Sequence, residues 1–144
     1  MSRITDFPTR GRVTAKRDDD TIVFKPNGTN YELFVKPAAP YDGPIDEPVD
    51  ALLRVSARKV YTVPSGGNFV APIFGPPKIV QGRVKLIDGV YVVVRAGANF
   101  IVELPAGDSA IDLNSGAIVV GSMMNVVVLP GATIEIVIAP AAIT

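Results

Sequence analysis

Short apolar runs recur along the chain and are separated by glycine, proline and asparagine. Residues 22–24, 60–63 and 90–94 are rich in β-branched and aromatic side chains, which fit the pleated surface of a sheet. Thirteen glycines and thirteen prolines interrupt the chain too often for long helices. The pattern therefore predicts an all-β protein.

One turn phrase organises this pattern. It reads GTNY at 28–31, GGNF at 66–69 and GANF at 97–100, and a looser copy reads GATI at 131–134. Glycine accepts positive φ and asparagine tolerates it, so each copy is suited to reversing the chain between two strands. We interpret each copy as a strand–turn–strand unit, and the protein as about four hairpin units.

Similarities beyond the turns indicate pseudo-repeats. Gly-Arg-Val stands at 11–13 before the first copy and at 82–84 before the third, and residues 28–39 resemble residues 131–142. The spacings between glycines 28, 66, 97 and 131 are 38, 31 and 34 residues, too irregular for an open solenoid. The sequence predicts an antiparallel barrel or a two-sheet sandwich with pseudo-repeats. These arise either from internal duplication or from repeated hairpins without common ancestry.

Individual segments give further predictions. Asp88-Gly89 lies between two apolar runs and predicts a hairpin with a type I′ turn. Residues 51–63 are compatible with a capped helix or with a strand, and the alternation of apolar and polar residues favours the strand. Residues 117–120 and 124–129 carry almost no polar side chain, which predicts strands buried on both faces.

Two segments are rich in proline. Residues 37–50 hold four prolines and four acids, and we predict an extended loop, or an arm that reaches a neighbouring subunit. Residues 64–79 are expected at a sheet edge or in a long loop, because proline cannot donate to a central ladder. Phe69, Ile73 and Phe74 in this segment are expected to cover a barrel mouth or to bury in a partner.

Length and composition add limits to this picture. A chain of 144 residues predicts one domain over 1–144, with a polar lead-in at 1–10. Residues 1–20 show no signal peptide, and the uncharged residues 113–134 contain glycine, asparagine and proline, which argue against a membrane helix. A soluble chain is expected, cytoplasmic or associated with a particle.

Charge is unevenly distributed although the net charge is zero. All 14 basic residues lie at or before Arg95, whereas residues 96–144 carry only four acids. Burial of the C-terminal half, a nucleic-acid face and a self-complementary surface are all consistent with this asymmetry.

The apolar last third is the basis of a prediction about assembly. A domain of this size has little interior to cover several apolar strands on both faces, and large bare apolar patches are unusual on monomers. We therefore predict a homo-oligomer or a part of a larger, shell-like or viral assembly. The predicted contact residues are Ile118, Val120, Met123, Met124, Val126, Val128, Ile134 and Ile136.

Candidate chemistry favours a non-catalytic role. Histidine and cysteine are absent, which removes the commonest general base and the thiolate nucleophile, so no enzyme, metal site or cofactor is predicted. The alternatives are an oligonucleotide-binding barrel and a carbohydrate- or small-ligand-binding barrel with its mouth near Tyr61, Phe69 and Phe74. The predicted ligand or nucleic-acid face comprises Arg10, Arg12, Lys16, Arg54, Arg58, Tyr61 and Phe69.

Overall fold

A computed structural model of the chain describes residues 3–137 and is mostly β, with 54% strand and 4% helix. Two short 3-10 turns lie at Ile4–Asp6 and Asp108–Ala110. The strands, in chain order, are β1 Thr9–Lys16, β2 Ile22–Pro26, β3 Glu32–Pro37, β4 Pro48–Val63, β5 Phe69–Ala71, β6 Phe74–Gly75, β7 Ile79–Asp88, β8 Tyr91–Arg95, β9 Asn99–Glu103, β10 Ile111–Asp112, β11 Met123–Val128 and β12 Thr133–Val137.

The 16-residue strand β4 joins two closed circuits of hydrogen-bonded strands. In the first circuit the neighbours are β1, β2, β3, β12 and β4, and β4 closes back on β1. In the second circuit they are β7, β8, β9, β4 and β11, and β11 closes back on β7. The two circuits therefore share one strand and form one sheet.

The circuits have the same topology. Each begins with a three-strand antiparallel meander, β1–β3 in the first circuit and β7–β9 in the second. The third strand of the meander pairs in parallel with a fourth strand, which is β12 in the first circuit and β4 in the second. A closing strand, β4 in the first circuit and β11 in the second, runs antiparallel to both the fourth strand and the first. The fourth strands are exchanged: the C-terminal part of β4 completes the second circuit, and β12 from the end of the chain completes the first. The two circuits are therefore equivalent and exchange one strand, whereas the prediction was of about four hairpin units.

The predicted purely antiparallel sheet is wrong, because four ladders are parallel: β12 with β3, β10 with β4, β6 with β3, and β9 with β4. Two of the four predicted hairpin units are confirmed, at the turns that follow β2 and β8. The other two are wrong. The turn at 66–69 leads into β5, which pairs with β7, and the turn at 131–134 leads into β12, which is separated from β11 by β4.

Two local predictions, the strand at 51–63 and the hairpin near Asp88, can be compared with the structure. The strand interpretation of residues 51–63 is confirmed by β4. The hairpin near Asp88 is also confirmed, but its two-residue loop is Gly89–Val90, and of these two residues only Gly89 has positive φ, at 61°. A type I′ turn needs positive φ at both central residues, so that turn type is wrong.

The predicted strand at 117–120 does not form. Gly116 and Gly121 flank it with φ of 111° and 96°, and the Ser122 hydroxyl donates to the Ala117 carbonyl at 2.9 Å, which fixes a turn instead. Val119 and Val120 are 55% and 63% exposed. The prediction that this run is buried on both faces is therefore wrong, whereas β11 at Met123–Val128 is largely covered.

The interior of both circuits is one continuous apolar core. Phe24 and Leu33 fill it from the first circuit, and Val84, Phe100 and Met124 fill it from the second. A smaller cluster on the outside of the second circuit holds Leu52, Val93 and Ile101 and is covered by Ile4 and Phe7. The N-terminal lead-in is thus partly a hydrophobic cover, and its residues 9 and 10 belong to β1.

The two Gly-Arg-Val phrases occupy equivalent places. Gly11 and Gly82 lie on the first strand of each meander, at points where an added Cβ would meet backbone atoms of the chain opposite. A Cβ on Gly11 would lie 2.5 Å from the Lys25 carbonyl oxygen, and one on Gly82 would lie 2.5 Å from the Arg95 carbonyl carbon. Real Cβ contacts do not come so close, so both positions require glycine.

The proline-rich segments follow the surface. In the loop 38–47, Tyr41 packs against the core of its own chain and the Asp46 amide donates to the Val13 carbonyl at 2.8 Å. Residues 64–78 pass from one circuit to the other, with β5 paired to β7 and β6 paired to β3. The predicted edge position of this segment is confirmed.

Candidate ligand-binding site

The basic residues predicted to form one face are distributed over the molecule. The Arg10 guanidinium pairs with Asp50 at 2.9 Å, and Arg54 lies 3.7 Å from Glu135. The hydrogen bond from Arg10 lowers the pKa of Asp50 and raises that of Arg10. Both arginines therefore already have acidic partners.

The remaining members of that predicted face lie in three places. The Lys16 ammonium lies 5.8 Å from the Tyr41 ring centroid, and Arg12 lines a separate cleft on the first circuit. Arg58 is exposed on β4, which also carries Tyr61. Tyr61 and Phe69 lie on the same face of the second circuit, on strands separated by β7 and β11.

The predicted contact residues divide by burial. Met123, Met124, Val126, Val128 and Ile134 are buried in the interior of the single chain. Ile118 and Ile136 are half-buried, and Val120 is exposed. Five of the eight side chains therefore form the protein's own core, and the surface that remains from this set is centred on the loop 113–122.

The outer face of the second circuit carries a row of side chains across five strands. The register places Phe69 opposite Gln81, Gln81 opposite Asn125, Asn125 opposite Tyr61, and Tyr61 opposite Asp112. The intervening residues Val60, Val70, Val80 and Val126 point inward and are buried. Three strand spacings separate Phe69 from Tyr61, about 14 Å.

Hydrogen bonds fix the amides in the middle of this row. The Asn125 amide donates to the Gln81 side-chain oxygen at 2.9 Å, and the Gln81 amide donates to the Gly67 carbonyl at 2.9 Å. The Lys59 ammonium lies 5.0 Å from the Tyr61 ring centroid. The row is thus an ordered surface with an aromatic ring at two positions and a cation at one side.

Two basic clefts lie at equivalent positions of the two circuits. The first, of about 380 Å³, contains the cross-strand pair Arg12 and Lys25 together with Thr14, and the second, of about 430 Å³, contains the cross-strand pair Arg83 and Arg95. In each meander the register shifts just after this pair, and the extra residue is Thr14 in the first and Lys85 in the second. Because a β-bulge re-aims a side chain, Lys85 joins the two arginines at the cleft.

The two clefts differ in charge. Asp46 lines the first cleft and offsets its two cations. The second is lined by Arg83, Lys85 and Arg95 with residues 66–68 and Met123, and no acid lines it in the part of the chain that the structure describes. Like charges directly opposite each other in a sheet are destabilising, so an unneutralised cross-strand arginine pair is an unusual arrangement for stability alone.

Neutral groups orient the two arginines of the second cleft. The Arg83 guanidinium donates to the Gly121 carbonyl at 2.9 Å, and the Arg95 guanidinium donates to the Asn99 side-chain oxygen at 3.3 Å. Within residues 3–137 the ion pairs involve other cations, namely Arg10, Arg17 and Arg54. The second cleft is therefore a positively charged site whose charge is oriented but not compensated.

The face predicted from the sequence includes Tyr61 and Phe69 but none of the cations of the second cleft. The signal was present, since the repeated Gly-Arg-Val phrase marks both clefts at Arg12 and Arg83. What the sequence did not show was which cation lies across the strand, because Lys25 and Arg95 are paired through the meander register.

The structure gives no sign of a metal centre, since residues 3–137 contain no group of three histidine, cysteine, aspartate or glutamate side chains placed to hold an ion. No helix among these residues has the length and apolar character to cross a membrane. Comparison of the chain with protein-family models, with curated proteins and with solved structures gave no significant match.

Proposed function

We propose that the protein is a non-catalytic β module that acts in assembly, by contact with a second copy or with another protein. The observation that carries this proposal is the apolar surface of the loop 113–122. Val119 and Val120 are more than half exposed, Leu113 is 47% exposed, and Ile118 is half-buried beside them in the chain.

The loop is tied to the body of the protein. The Thr62 hydroxyl donates to the Gly116 carbonyl at 2.8 Å, and the Gly121 amide donates to the Val84 carbonyl at 2.8 Å. Because bonds on both sides of residues 117–120 hold the loop, it presents its valines in a defined place and loses little conformational entropy when a partner covers them. An ordered, exposed apolar loop is typical of an interaction surface.

The measurement is the molar mass in solution by light scattering after size exclusion, from micromolar concentration upward. We expect the native chain to form an oligomer whose mass depends on concentration. Covering the exposed half of a valine side chain contributes about 1 kcal/mol. The double substitution Val119→Ser, Val120→Ser should therefore weaken association by about 30-fold.

Ile45→Ser is the matched control, because Ile45 is an exposed aliphatic residue, 42% accessible, in the loop 38–47. It should leave the association constant unchanged. A native chain that remains a monomer at all concentrations would refute self-association. In that case the second form of the proposal, contact with a different protein, predicts that a monomer with the double serine substitution is as stable as the native chain.

A further inference from the structure

We infer that the second cleft binds the phosphate groups of single-stranded nucleic acid, with a base stacked on Phe69. This activity does not depend on the assembly role proposed above. It rests on the three cations Arg83, Lys85 and Arg95, on the glycine-rich residues 66–68, and on the exposed ring of Phe69 beside them.

The charge of the cleft selects an anion. Arg83 and Arg95 are fixed opposite each other on β7 and β8, and the bulge places Lys85 at the same cleft. A planar guanidinium offers several N–H donors to phosphate oxygens. In each arginine one N–H group donates to a neutral acceptor of the protein. Two oriented guanidinium groups and a flexible ammonium are suited to a phosphate.

The backbone of residues 66–68 adds polar groups to the same cleft. In the described chain, the amides of Gly66, Gly67 and Asn68 donate to no protein acceptor, and the Gly67 carbonyl is already taken by Gln81. The three residues line the cationic cleft, and backbone amides are common partners of phosphate oxygens.

The exposed ring of Phe69 favours a nucleic acid over a simple anion as the ligand of the second cleft. Phe69 follows the cleft-lining residues directly and is 39% exposed. Its cross-strand partner Gln81 precedes Arg83 by two residues on the same face of β7, about 7 Å along the strand. A ring for stacking thus lies about one nucleotide away from the phosphate site, and base stacking on aromatic side chains with phosphate contacts to cations is the usual mode of single-strand binding.

The equivalent first cleft provides an internal comparison. It has an equivalent glycine, an equivalent bulge and a cross-strand pair of cations, but Thr14 replaces the third cation and Asp46 supplies an opposing charge. Among residues 3–137, β5 pairs with β7, which places Phe69 beside the second cleft. The inference is therefore confined to the second circuit.

The test is fluorescence anisotropy with a labelled single-stranded DNA of mixed sequence, titrated with the native chain at several salt concentrations. Three phosphate contacts predict a slope of about −2 in log Kobs against log salt, so the affinity should fall about 20-fold between 50 and 200 mM salt. The double variant Arg83→Gln, Arg95→Gln should reduce the magnitude of this slope by about 1.4.

The matched control is Arg12→Gln, Lys25→Gln, which removes two cations from the equivalent positions of the first circuit and should leave the slope unchanged. The single variant Lys85→Gln is included because Lys85 is exposed, so this substitution should not disturb folding. It should remove about one phosphate contact and reduce the magnitude of the slope by about 0.7. Phe69→Ala should weaken binding about tenfold, whereas Phe74→Ala, which removes another exposed ring, should not.

Three results would overturn the inference. The first is no detectable binding at 50 mM salt. The second is an equal loss of affinity in the variant Arg83→Gln, Arg95→Gln and in the control Arg12→Gln, Lys25→Gln. The third is binding of a sulfated polysaccharide without binding of the oligonucleotide, which would assign the cleft to a different class of polyanion.

Discussion

Replacement of Gly82 by alanine tests the close approach on which the second circuit depends. The added Cβ would lie 2.5 Å from the Arg95 carbonyl carbon, closer still to its oxygen, and 3.0 Å from the Ala96 Cα. All three are backbone atoms at and just after the end of β8, so no side chain can rotate to relieve the contact. Ordinary van der Waals contact begins near 3.4 Å, so the strands must separate by roughly 1 Å.

The cost can be worked from this displacement. Overpacking typically costs about 1–3 kcal/mol, and each backbone hydrogen bond weakened at this crossing adds about 1 kcal/mol. We therefore expect Gly82→Ala to lower the free energy of unfolding by about 3 kcal/mol. For a chain of this length the unfolding midpoint should fall by about 10 °C.

The assay is urea and thermal unfolding followed by circular dichroism, with Gly67→Ala as the control. No atom lies within 4 Å of a Cβ at Gly67 and its φ is outside the left-handed region, so alanine there should be neutral or stabilise by about 0.5 kcal/mol. If Gly82→Ala loses less than about 1 kcal/mol, or no more than Gly67→Ala, the strands are not as close as described and the reasoning fails.

Two further predictions concern single contacts. Tyr31→Phe removes the buried hydrogen bond from the Tyr31 hydroxyl to the Ala96 carbonyl, 2.9 Å long, and should cost about 1–2 kcal/mol in chemical unfolding; an unchanged midpoint would show that this bond contributes nothing. The Arg10 guanidinium lowers the pKa of Asp50, so the pair stabilises the fold above the ordinary pKa of about 3.9 and this contribution is lost as pH falls through the lower value of the folded state. Asp50→Asn should therefore be less stable than the native chain at pH 6, with the difference shrinking below about pH 4 in urea unfolding; a difference independent of pH would contradict the assignment.

Local turn chemistry made part of the fold predictable. The glycines at 28 and 97 have positive φ and reverse the chain into an adjacent antiparallel strand, as their sequence phrase predicts. Gly66 and Gly131 carry a similar phrase and also have positive φ, but the strands that follow them pair elsewhere. A turn phrase determines that the chain bends, whereas the partner of the next strand is decided by long-range pairing.

Burial was the less predictable property. The apolar residues of β11 indicated a surface in need of a partner, but Met124 and Val126 are covered by the chain itself because β11 lies between β4 and β7. A single sequence does not distinguish a side chain covered by its own chain from one covered by another. The candidate site was hidden for a related reason, since Arg83 and Arg95 meet only through the register of β7 and β8.

The exchange of β4 and β12 has a consequence for how this chain holds together. Neither half can complete its own ring of strands, because each needs the strand that the other provides. A detached half would carry an open strand edge, which is a template for pairing with another chain. Residues 64–78 join the two circuits in one chain. The exchange of strands is therefore a unimolecular step of folding and does not depend on protein concentration.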